Sequence, residues 1–128
     1  MRGFVMVVFA ALMAGGVSAQ DQYIGGYWAH IGPQDYYNSS GTRLTDAAAI
    51  LRQDRANFHR FGIRHPRDES APWFGTQNGR AAMPAMIANA GGVPAYIQNL
   101  MWEARELMIY VSMYQRGGFT YLRAEIPG

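Results

Sequence analysis

From Ile109 to Ile126 the chain reads I-Y-V-S-M-Y-Q-R-G-G-F-T-Y-L-R-A-E-I, apolar and polar side chains alternating on both sides of Gly117-Gly118. Alternation of period two around a two-glycine turn is the pattern of a β-hairpin, and it restricts the fold more than any other stretch. With the glycines at the turn, Arg116 faces Phe119, Tyr114 faces Tyr121, Ser112 faces Arg123 and Tyr110 faces Glu125. Met113 then meets Leu122, Val111 meets Ala124 and Ile109 meets Ile126. One face becomes uniformly apolar, while the other carries Tyr110, Tyr114, Phe119 and Tyr121 with Arg123 and Glu125. A competing reading continues a helix from Pro94 through Tyr114, because Ala104, Leu107, Met108 and Val111 also keep helical spacing.

A hairpin alone is marginal and needs a partner layer. Tyr27-Trp28-Ala29-His30-Ile31, after Gly25-Gly26, is aromatic and β-branched and predicts a strand, with Trp28 and His30 on the face opposite Tyr27, Ala29 and Ile31. Gly32-Pro33 ends it. Asp35 to Gly41 supplies residues that close turns on their own backbone, predicting an ordered loop that leads to a short strand near Thr42 to Leu44. Asn38-Ser39-Ser40 matches a glycosylation sequon, which matters only in a eukaryotic secretory pathway.

The main helix is expected over Thr45 to Phe61. Thr45 or Asp46 is placed to cap it, Leu44 to act as a staple, His59 and Arg60 to meet the negative end of the dipole, and Gly62 to stop it. At about 100° per residue, Ala47, Ile50, Leu51, Phe58 and Phe61 share one stripe. Ile63 to Gly79 has no periodicity and reads as a proline-stiffened surface loop, with Trp73-Phe74 tucking its end against the core. A short helix is expected from Met83 or Pro84 up to Gly91-Gly92, since Pro84 fits only a first turn, and another after Pro94. The predicted fold is α+β: a small antiparallel sheet, made of the N-terminal strand and the C-terminal hairpin, packed against one main helix and two short helices.

Met1-Arg2, the apolar run Phe4 to Ala14 and Val17-Ser18-Ala19 have the form of a signal peptide cleaved after Ala19. An uncleaved anchor is the alternative, but Gly15-Gly16 breaks the run short of the roughly 20 residues a membrane span needs. Residues 1–19 are therefore expected to be a leader and 20–128 a single domain, exported to a periplasmic or extracellular space. The chain has no cysteine, which removes disulfides, thiol nucleophiles and thiolate metal sites. Its eleven basic residues are all arginine; without Arg2, ten of them face nine carboxylates. Such balance gives no general electrostatic reason to bind nucleic acid or an anionic membrane.

Asp54 is the sharpest anomaly, a carboxylate in the middle of the apolar helix stripe. An unpaired carboxylate there is costly, so a partner is required: Arg43 or Arg64, a Tyr or Trp donor, or backbone N–H groups of the Asn38 to Gly41 loop, with Ser40 a turn residue of that loop. Structurally, Asp54 would fasten loop or sheet to helix; functionally, it would be an acid-base group of a small hydrolase with His59 or His30. Arg52, Arg55 and His59, with Arg60 to one side, form a basic stripe expected to face solvent, with binding of a carboxylate or phosphate as the alternative. On the remaining flank Gln53, Asn57 and Asp46 lie near the core edge, placed to bond to neighbouring loops. His30, His59 and His65 lack the i, i+4 pairing of a helical metal site, no calcium loop is present, and no cofactor motif is found, so neither metal nor cofactor is expected. G-x-S-x-G and S-x-x-K are absent as well. The aromatic hairpin face, with Trp28 adjoining, is the candidate ligand surface: Tyr110, Tyr114, Phe119, Tyr121 and Arg123, suited to a protein, peptide or glycan. The expected function is a non-catalytic binding or interaction domain, with the Asp54 hydrolase as the alternative.

Overall fold

The computed structural model of the chain describes residues 20–127, and the leader expected over 1–19 lies outside them. Three antiparallel strands make one sheet in the order β1-β2-β3: β1 over Gln22–Ile31, β2 over Leu107–Arg116 and β3 over Phe119–Glu125. The hairpin register is the one its turn dictates, from Arg116 opposite Phe119 to Tyr110 opposite Glu125. Pairing stops there, so Ile109 and Ile126 do not form the last expected pair.

β1 starts five residues earlier than the aromatic run suggests, at Gln22, and carries a bulge between Tyr23 and Gly25. Gly25-Gly26 lies inside the strand because rings need the space of the missing side chains: a Cβ on Gly25 would strike the Trp73 indole, and one on Gly26 the Tyr110 phenol. Thr42 to Leu44 does not add a fourth strand. Tyr37 and Arg43 form one isolated bridge, and the free edge of β1 is taken by the loop instead. There Glu69 N–H donates to Trp28 O at 3.0 Å, while Trp28 N–H reaches Glu69 Oε1 and His30 N–H reaches Asp68 Oδ1. Covering an edge in this way blocks pairing with other chains.

Helix α1 spans Ala47–Ala56, with Asp46 Oδ2 accepting the Ala49 N–H at 2.9 Å as its N-cap. It continues as a π-helical turn over Asn57–Phe61 and ends on Gly62, which takes φ 70°. The wide turn corrects one expectation. Advancing fewer degrees per residue than an α-helix, it rotates Phe61 out of the stripe and leaves it 43% exposed, while Phe58 stays buried. α2 (Gln77–Ala81) and α3 (Met83–Asn89) meet at Ala82, with Pro84 in the first turn of α3 where its missing N–H costs nothing. α4 (Ala95–Trp102) stops before Ala104, whose φ is 55°, so Leu107 to Tyr114 is strand and not an extension of the helix.

The hydrophobic core joins one sheet face to the helices: Tyr27, Ala29, Ile31, Ile109, Val111, Met113, Leu122 and Ala124 pack with Ile50, Leu51, Met83, Ile87, Ile97 and Met101. Phe74 is buried with them, whereas Trp73 stays partly exposed.

Candidate functional site

The apolar stripe of α1 delivers Asp54 to the interior, 1% exposed, and with it Arg55, which is fully buried. Arg55, placed by hydropathy on the solvent stripe, stands four residues after Leu51 and eight after Ala47, the spacing of the core edge. What closes that edge is the loop after Ile63. The Arg55 guanidinium donates from Nε to Asp54 Oδ2 at 2.8 Å, from Nη1 to Glu69 O at 2.7 Å and from Nη2 to Asp68 Oδ1 at 3.2 Å. Its Cζ lies 4.2 Å from the centroid of the Tyr27 ring, and Phe58 flanks it.

Asp54 is therefore held by its sequence neighbour, not by Arg43, Arg64 or the Asn38 loop. Arg43 donates instead to Leu44 O and to Met101 O and Trp102 O at the end of α4, over the Tyr36 ring. Asn38 Oδ1 accepts the N–H groups of Ser40 and Thr42, closing its own turn. Both Arg55 contacts to Asp54 fall on Oδ2, and Oδ1 has no hydrogen-bond partner among the described residues. Burial pushes the Asp54 carboxyl well above its usual range, with Arg55 pulling the other way.

Two more carboxylates share this interior. Asp35 accepts from Asn57 Nδ2 at 2.8 Å and from Gly32 N–H at 2.9 Å, and burial raises it too, against those bonds and against His65. His65 Nδ1 lies 3.5 Å from both Asp35 Oδ2 and Asp68 Oδ2, while Asp68 also takes the N–H groups of His65 and His30. The cluster thus ties α1, β1 and the loop into one piece. Helix spacing places Asn57 at the core edge within reach of a loop, and it bonds to Asp35 there. Sequence inspection missed the burial of Arg55, for which core-edge spacing was a usable signal, and the parts played by Asp35 and Asp68, which depend on where the loop returns.

Asp54, His59 and His30 are not brought together as one acid-base set. Ala71 N–H donates to His59 Nε2 at 3.3 Å, and burial, followed by Arg55, Arg80 and Arg64, lowers the affinity of that imidazole for a proton. His30 accepts the Arg67 N–H on Nδ1 and pairs through Nε2 with Glu106 Oε2 at 2.5 Å, which holds the Glu106 carboxyl below its usual range. The three side chains are engaged in three separate sets of bonds.

The other candidate surface is the sheet face turned away from the helices. Trp28 meets Tyr110 edge to face at 5.2 Å, Tyr110 shares a hydroxyl bond with Tyr23 at 2.8 Å, Tyr23 meets Tyr114 at 5.5 Å, and Tyr114 stacks on Tyr121 at 5.2 Å. Tyr23 and Phe119 are exposed, and Trp28, Tyr110, Tyr114 and Arg123 half-buried. Tyr121 departs from the expected role: it is only 4% exposed, and its hydroxyl donates to Asp21 Oδ2, which Arg116 also grips as a fork. Beyond Trp28 the row opens into a cleft of about 750 Å³ whose walls include Arg67, Glu69, Glu106 and Met108.

The fold and these sites define a small α+β domain whose densest polar cluster is sealed and whose aromatic sheet face is open. The chain matches no protein-family model, no curated protein and no solved structure. Among the described residues, no helix is long and apolar enough to cross a membrane.

Proposed function

We propose that this protein is an exported, non-catalytic binding domain that takes a protein segment on its outer sheet face. The observation that carries the reading is the continuous aromatic row from Phe119 and Tyr114 to Trp28, left bare by the helices and running into the Trp28 cleft. Tyrosine and tryptophan offer large amphipathic contact area at little entropic cost, and rings already locked against one another cost still less to order. Arg67, Glu69, Arg105 and Glu106 give the cleft both signs of charge, which suits a polypeptide better than a uniformly anionic partner. Export rests on the leader-like N-terminal sequence.

The test is cross-linking capture with the purified domain, followed by titration of the identified, purified partner. Tyr114→Ser and Phe119→Ser are expected to keep the fold and weaken that binding about tenfold or more. Equal binding by wild type and both variants would refute the reading, as would binding only to glycans on an array. Tyr121→Ser is the wrong probe, because its hydroxyl supports Asp21.

A further inference from the structure

Three arginines line one cleft of about 340 Å³ among the helices: Arg52 of α1, Arg60 of the π turn and Arg80 of α2. None of its lining residues belongs to the sheet, so the cleft is separate from the aromatic face. Arg52 and Arg60 are exposed, but Arg80 is 6% exposed and held in place by a bond from its guanidinium to Phe74 O at 3.1 Å. Arg60 stacks over Phe61, the ring that the π turn swings out of the core and into this wall.

Elsewhere Arg55 pairs with Asp54 and Asp68, Arg116 with Asp21 and Arg105 with Glu103. Arg43 and Arg64 use carbonyls instead, so what sets the cleft apart is three cations on one wall. Among the described residues, Arg52, Arg60 and Arg80 have no ion pair with a carboxylate, and the charges of Arg60 and Arg52 add to burial in loosening the hold of Arg80 on its proton. The single carboxylate on the wall, Asp46, is committed through Oδ2 to the cap of α1. Gathering three cations around one concavity is unfavourable unless an anion offsets them, and guanidinium groups pair with oxyanions through two N–H donors at once. Three positive charges against one negative match a dianion better than a monocarboxylate. We infer that the Arg52, Arg60 and Arg80 cleft binds a tetrahedral dianion, inorganic phosphate or sulfate.

The test is isothermal titration of the full domain with inorganic phosphate, sulfate and acetate in chloride buffer at one ionic strength. Saturable one-site binding of phosphate or sulfate, with acetate weaker, is expected, and comparing the two dianions identifies the source. Arg52→Gln with Arg60→Gln, both at exposed positions, should weaken it by about tenfold or more. Asp46→Asn keeps a capping side chain and removes the opposing charge, so it should bind more tightly than wild type. Absence of saturable binding in the millimolar range, equal affinity in the double variant, or acetate binding as tightly as the dianions would each overturn the assignment.

Discussion

At the scale of single residues, the buried Asp54 and Arg55 pair settles what the middle of α1 contributes. Arg55 has no solvent to fall back on and serves two carboxylates, a carbonyl and an aromatic ring. Removing one member of a buried pair leaves the other uncompensated, so Arg55→Ala is expected to cost about 3–5 kcal/mol in urea denaturation. Arg52→Ala, three residues earlier and exposed, should change stability by less than about 1 kcal/mol. Asp54 also makes stability depend on pH. Its folded proton affinity is raised, so the folded state binds the proton more tightly than the unfolded chain does. That contribution is fully present below about pH 3.8 and is lost as pH rises through the raised folded value. Asp35 shifts the same way, so the comparison to make is wild type against Asp54→Asn, which removes one titration alone. The stability of wild type relative to Asp54→Asn should fall as pH rises from 4 to 8; a relative stability that climbs with pH would mean that Arg55 outweighs burial. The burial of Asp54 was legible from helix phase, because a carboxylate amid Ile50, Leu51 and Phe58 has nowhere else to go. Its partner was not, because charge alone assigned Arg55 to the outside.

At the scale of elements, sequence was informative wherever local chemistry decides. The glycine pair and the period-two pattern specify the hairpin, and Asp46 and Gly62 bound the helix as capping chemistry requires. A Cβ on Gly62 would meet nothing within 4 Å, so Gly62→Ala tests the backbone alone. Holding alanine at φ 70° should cost about 1 kcal/mol in the same denaturation assay, and a neutral result would show that the stop does not need a left-handed residue. The π turn left no such local signature. It follows the bonding of Asn57, whose side chain bridges Asp35 and Gln53 and whose carbonyl accepts the Ile63 N–H. Neither Asp35 nor the return of the chain at Ile63 can be placed from helical spacing. The same limit hid part of the arginine cleft: helical spacing sets Arg52 and Arg60 on the basic side of α1, but Arg80 joins them only once α2 packs beside α1.

At the scale of the molecule, the topology joins the first strand to the last two. β1 lies against β2, the loop seals its other edge, and the Asp21 carboxylate is held by Arg116 and Tyr121 from the far end of the chain. The overall α+β layering could be read in advance because each element shows one apolar face, while the seating of the Ile63 to Phe74 loop depends on bonds between residues distant in sequence. A consequence follows for a chain that emerges from a ribosome or a translocation pore with its amino end leading. β1 must wait, bare along one side, until Leu107 to Arg116 has come through. During that interval it is a template for pairing with any neighbour in the same state, so association between unfinished copies competes with folding until the hairpin arrives.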